Sequence, residues 1–76
     1  MPHVTIRHFP ADLDEEARRR LASALTETIV KEFGTYAGAV SIALEPVDPG
    51  DWTATVYEPL IAGRPETLIK APEYRT

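Results

Sequence analysis

The chain opens MPHVTIRHFP, and the residue there with a chemistry of its own is Pro2. Methionine ahead of a small second residue such as proline is ordinarily trimmed in the cell. Trimming here leaves a secondary amine held by the pyrrolidine ring at the head of a β-like run. An exposed α-amino group titrates near about 7.7–8.0, and a prolyl amine is intrinsically more basic. Burial in an apolar pocket, or a nearby cation, disfavours the ammonium form and lowers that value. A neutral amine near physiological pH is a usable general base, and its conjugate acid can return the proton. With Met1 still attached, the same nitrogen is a tertiary amide without useful basicity. The competing reading is structural: proline lacks an amide hydrogen, and the first position of a strand is one of the few that tolerates it.

Other chemistry-bearing patterns are weaker. The sequence holds no glycine-rich phosphate loop, no nucleophile-elbow serine and no histidine paired with a nucleophile at motif spacing. Arg18-Arg19-Arg20 invites a phosphate or nucleic-acid reading, but Glu15 faces Arg19 and Glu16 faces Arg20 at i,i+4, which describes a solvated helix face. His3 and His8 are the two imidazoles, and their odd spacing on one strand sends them to opposite faces, so a shared metal is not expected. They read as surface or interface residues.

The elements that must position Pro2 are legible around it. Residues 3–8, HVTIRH, alternate Val4 and Ile6 with Thr5 and Arg7, a short strand with one buried face, ended by Phe9-Pro10-Ala11. A helix follows. Asp12 stands three residues before Glu15, the spacing of a capping box, and Asp14, Glu15 and Glu16 put negative charge where the helix dipole favours it. Ala17, Leu21, Ala24, Leu25, Ile29 and Phe33 form its apolar stripe, and Gly34 is its stop. A helix of about 20 residues spans about 30 Å. Residues 40–47, VSIALEPV, give a second strand with Val40, Ile42 and Leu44 toward the core. Strand, helix, strand is a βαβ unit with parallel strands.

Five of the seven prolines (Pro46, Pro49, Pro59, Pro65 and Pro72) lie after residue 45, which excludes long regular elements there. VDPGDW is a turn. Asp51 can cap a short helix through Tyr57, although TATVY also suits a strand; helix is the expectation. PETLIK has proline at a favourable first helical position.

Seventy-six residues make one domain, spanning 1–76. A chain this short buries only about 60% of the surface its unfolded form exposes. Without cysteines it has neither disulfides nor thiolate zinc sites, and self-association is the remaining expectation. Two strands and one helix leave a sheet face uncovered, and a two-stranded sheet is marginal by itself. That face is expected to meet a second copy or the proline-rich tail. The net charge of −4 argues against nucleic acid. No apolar run approaches the roughly 20 residues of a membrane helix, and there is no secretory signal. A cytoplasmic protein is expected.

The ordered features resemble the 4-oxalocrotonate tautomerase family, in its phenylpyruvate tautomerase-like branch. The resemblance covers nearly the whole chain: MPHVTIRHFP, the helix start LDEEARR, the strand SIALEPV, the tryptophan of PGDW and the tail ETLIKAPEY. The N-terminal proline alone is a weak signal; proline, SIAL, the tryptophan and LIKxPxY in order are together fairly specific. The resemblance implies an α+β fold: a βαβ subunit with two parallel strands, one long helix and a short Pro-rich helical tail, its sheet completed by dimerisation. It implies cofactor-free keto–enol isomerisation, with Pro2 as general acid/base after Met1 removal. It also implies an oligomer, and the tail through Tyr74 favours a homodimer over a higher assembly.

Many family members hold a dicarboxylate with two arginines. Their places here fall at Asp12 and Ser41, and neither offers arginine's planar clamp. The family's aromatic wall falls at Trp52. Fewer cations and a larger ring suit an aromatic or hydrophobic 2-oxo acid with one charge, such as phenylpyruvate. Trp52 can equally be core, as single tryptophans of small chains often are. Arg7 can contact the substrate carboxylate or form an interface salt bridge, the latter favoured. Ser41 and Tyr57 are further lining candidates. The rival reading from another class is a non-catalytic oligomerising or small-ligand-binding protein on the same scaffold.

Overall fold

The computed structural model describes residues 1–75. Strand β1 (His3–His8) alternates exposed and half-buried residues, with Val4, Ile6 and His8 turned inward. It pairs in parallel with β2 (Ser41–Pro46), His3 opposite Ser41 and His8 opposite Pro46. The ladder continues one residue beyond each end: the Ser41 amide donates to the Pro2 carbonyl at 3.1 Å, and the Val47 amide to the His8 carbonyl at 2.8 Å. β2 starts one residue later than the apolar run, because the Val40 amide turns back to the Ala37 carbonyl in a 3₁₀ turn over Ala37–Ala39.

Between the strands runs α1 (Glu15–Phe33), completing the βαβ unit. Its cap is not the Asp12–Glu15 box. The Leu13 amide bonds to the Ala11 carbonyl at 3.1 Å and keeps residues 11–13 out of the helix, so Asp14 becomes the N-cap and its carboxylate accepts from the Ala17 amide at 2.8 Å. Glu15 and Glu16 still occupy the first turn, and Gly34 ends the helix at φ 63°, a conformation that glycine adopts without steric cost. The stripe is shorter than its sequence period. Ala17, Leu21, Leu25 and Ile29 are half-buried, but Ala24 is exposed and Phe33 is 73% exposed. Nineteen helical residues outrun the six-residue strands beneath them, so the last turn overhangs the sheet.

The arginine run behaves as a solvated face. Arg19 lies 3.5 Å from Glu15 and 3.2 Å from Glu16, and Arg20 lies 3.9 Å from Glu16.

The chain then crosses to the other face of the sheet. A 3₁₀ turn over Pro49–Asp51 leads through Trp52 into a second helix, α2 (Thr53–Ala62). Asp51 lies inside the turn and makes no side-chain cap, and α2 runs five residues past Tyr57. Its winding is wide, with i→i+5 bonds such as Gly63 amide to Glu58 carbonyl at 2.8 Å, and Pro59 sits inside it. In an ordinary α-helix that proline would both lose a bond and strike the preceding turn. The expected helix in PETLIK is only a 3₁₀ turn, Pro65–Thr67, after which Leu68 is extended.

Val56 of α2 is the most buried of the described residues, 5% exposed, and with Trp52, Leu60, Ile61 and Leu68 it bounds a cavity against Thr5, Arg7 and Glu45. The tail thus covers part of the second sheet face. The subunit nevertheless stays open. It exposes 5980 Å², where a compact monomer of 8.4 kDa exposes about 4,600 Å². Its radius of gyration is 14.1 Å, against about 11 Å for a compact domain of this length.

Candidate active site

The alternation of β1 and the parallel register divide the candidate residues into two groups at opposite ends of the strand. Pro2 and Ser41 stand at its beginning, joined by the backbone bond above. The Ser41 hydroxyl lies 2.7 Å from His3 Nδ1, and His3 Nε2 lies 3.1 Å from the Thr5 hydroxyl. Ser41 is therefore engaged along the exposed face of the sheet rather than standing in a cavity wall. Pro2 itself is half-buried.

Arg7 and Trp52 stand at the other end, five residues of strand away from Pro2, or about 17 Å at the strand rise. They line a cavity of about 510 Å³ together with His8, Phe9 and Tyr74. Such a volume lies in the usual range for small-molecule sites. Its walls are almost purely apolar. Phe9 and Trp52 meet edge to face with centroids 5.1 Å apart. The Trp52 indole N–H donates to the Tyr74 hydroxyl at 2.9 Å, which brings the end of the chain onto the turn preceding α2. Tyr57 stands behind this wall, its ring 5.8 Å from that of Tyr74, and does not line the cavity.

Arg7 forms an ion pair inside the subunit. Its Nε donates to Glu45 Oε1 at 3.0 Å, between residues directly opposite in the sheet. His8 is fixed by its neighbour: Nδ1 lies 2.7 Å from the Phe9 carbonyl, which can only accept, so Nδ1 carries the proton. Its Nε2 is buried without a partner. Among the described residues no group of three or more His, Asp or Glu side chains is placed to hold a metal ion, and no helix is long and apolar enough to cross a membrane.

Phe9, His8 and Tyr74 were not among the candidates read from the sequence. Phe9 looked like a strand terminator, and Tyr74 reaches Trp52 across 22 residues of chain, a contact that local spacing does not carry.

An open βαβ subunit headed by proline, with an aromatic cavity at the far end of its first strand, is the setting in which the comparisons with known proteins fall. The chain belongs to the tautomerase family: the family model described as tautomerase enzyme matches residues 2–56, more than half of the chain and beginning at Pro2. It is similar over nearly its full length to proteins named Tautomerase PptA. The one from Pectobacterium carotovorum subsp. carotovorum (strain PC1) is 36% identical over 74 residues, 97% of each chain. Those from Escherichia coli (strain SMS-3-5 / SECEC) and Enterobacter sp. (strain 638) are 39% and 40% identical over the same 97%. The protein is accordingly an isomerase of the tautomerase type.

Proposed function

We propose that this tautomerase interconverts the enol and keto forms of a small aromatic or hydrophobic 2-oxo acid of the phenylpyruvate kind, with Pro2, freed by removal of Met1, as general acid/base. In the ketonising direction the neutral prolyl nitrogen takes the enol O–H proton. The electron pair forms the carbonyl, the double bond opens, and the resulting ammonium returns a proton to the carbon beside the ring. One proton leaves and one arrives, so no cofactor is called for. The apolar environment that a second copy supplies lowers the basicity of the amine toward neutrality.

The observation that carries this reading is the aromatic cavity of Phe9, Trp52 and Tyr74 with a single guanidinium, that of Arg7, at its edge. It suits one ring and one carboxylate. Asp12 and Ser41 supply no further cation for a second carboxylate.

Pro2 and this cavity lie too far apart to act on one molecule within one subunit. A homodimer resolves this. If two copies pair β1 against β1 in antiparallel fashion, the head of each strand lies beside the end of the other, and Pro2 of one copy meets the His8–Phe9 mouth of the second. The excess of about 1,400 Å² of exposed surface per subunit is of the size that obligate dimers bury. The reading places the protein in the cytoplasm.

The test is an ultraviolet assay of phenylpyruvate enol ketonisation comparing the processed protein with Pro2→Ala. General acid–base catalysis contributes about 10²–10⁴-fold, and a loss in that range is expected. Equal rates remove Pro2 from the mechanism.

A further inference from the structure

The heads of the two strands carry a hydrogen-bonded chain that the mechanism above leaves unused. His3 stands directly opposite Ser41 in the ladder, and Thr5 follows His3 on the same exposed face of β1. His3 Nδ1 lies 2.7 Å from the Ser41 hydroxyl and His3 Nε2 lies 3.1 Å from the Thr5 hydroxyl, so hydroxyls engage both ring nitrogens. A hydroxyl donates or accepts, and a neutral imidazole does one at each nitrogen, so the chain can run in two senses. In the first, Ser41 gives its hydrogen to Nδ1, and Nε2–H goes to Thr5. In the second, Thr5 donates to Nε2, Nδ1–H donates to the Ser41 oxygen, and the Ser41 hydrogen is released for another acceptor. Hydrogen bonds in such a chain polarise one another, which strengthens the last donor.

We propose that Ser41 donates a hydrogen bond to the 2-oxo oxygen of the substrate, and that His3, aligned by Thr5, is the positioning residue that frees this hydrogen. The inference rests on the reading of substrate class and assembly given above. The Ser41 amide donates to the Pro2 carbonyl at 3.1 Å, so the hydroxyl and the processed amine belong to one strand head. Alternation puts Arg7 on the face of β1 that also carries His3 and Thr5. An antiparallel β1–β1 pairing that keeps both helices on one side of the joined sheet turns this face of both copies the same way. Pro2 then lies between the Ser41 hydroxyl and the cavity of the second copy, and one substrate can meet all three. As Pro2 takes the enol proton, negative charge gathers on the oxygen that becomes the carbonyl. A donor aimed at that oxygen stabilises the charge while keeping its own proton.

The test measures affinity with two aromatic monocarboxylates that cannot enolise: benzoylformate, which carries a 2-oxo oxygen, and phenylacetate, which lacks one. Calorimetric titration gives the ratio of their affinities. In Ser41→Ala the preference for benzoylformate is expected to fall by about 2- to 12-fold, the net worth of one hydrogen bond, with phenylacetate binding unchanged. His3→Phe is expected to reproduce that fall, and the double variant to add nothing to it, because His3 acts through Ser41. Ser41→Thr, which keeps a hydroxyl, is expected to restore the ratio. Thr5→Val moves the ratio in the same direction and serves if His3→Phe does not fold. A ratio unmoved by Ser41→Ala, losses that add in the double variant, equal losses for both acids, or binding of neither acid would each overturn the proposal. The ketonisation assay on Pro2→Ala separates the two readings. A ratio that depends on Ser41 while Pro2→Ala keeps full activity supports the Ser41 contact and removes Pro2. An inactive Pro2→Ala with a ratio indifferent to Ser41 does the reverse.

Discussion

The amide of Ser41 donates to the carbonyl of Pro2 at 3.1 Å, so the pyrrolidine at the head of β1 is held by a ladder bond that leaves its nitrogen uninvolved. The strand-starting role of this proline and the chemical role proposed for it are therefore compatible, because they use different atoms of the same residue.

One consequence concerns the chain terminus. Extending the protein upstream of Pro2, so that the ring nitrogen stays acylated, is expected to abolish ketonisation by about 10²-fold or more while far-UV circular dichroism is unchanged. The paired assay and spectrum check this; full activity in the extended protein would exclude the amine.

Arg7 is neutralised by Glu45 across the sheet, with side chains 38% and 51% exposed. Pairs this open are worth about 0–1 kcal/mol. Glu45→Gln is expected to change urea-unfolding stability by no more than that, and to lower KM for a 2-oxo monocarboxylate by freeing the guanidinium. Arg7→Gln is expected to raise KM several-fold. Steady-state kinetics on both variants decides it.

Two glycines anchor the helix ends for different reasons. Gly34 sits at φ 63°, where a side chain costs about 1–2 kcal/mol. At Gly63 a Cβ would lie 2.6 Å from the Glu58 carbonyl oxygen, itself the acceptor of the Gly63 amide. Gly63→Ala is expected to destabilise more than Gly34→Ala in urea titrations at matched protein concentration, since here backbone must move.

The open surface predicts an obligate assembly. Sedimentation or light scattering at micromolar concentration is expected to give twice the chain mass, with melting temperature rising with concentration. A well-folded monomer would contradict the sheet-completion argument.

The first two thirds of the fold were written in local sequence. Val4 and Ile6 alternate between Pro2 and Pro10, and β1 has the bounds this spacing predicts. The start of α1 was displaced because Asp12 and Asp14 are both good caps, and the choice fell to the Leu13 amide, whose partner no pattern reveals. α2 read as shorter because Pro59 signals a stop and an i→i+5 winding has no 3.6-residue period. In the site, Arg7 and Trp52 do share a cavity, but the partnership of Trp52 with Tyr74 and the pairing of Arg7 with Glu45 are long-range contacts set by the register of the sheet and the path of the tail.

The central claim concerns one nitrogen, the ring amine of Pro2 in the processed chain. Its protonation can be followed directly by nitrogen-15 resonance on protein labelled at proline, titrated across the neutral range. A midpoint below that of a free prolyl amine, leaving the nitrogen substantially neutral near about pH 7–8, is the expected result. An amine still protonated well above about pH 9 would contradict general-base catalysis by Pro2.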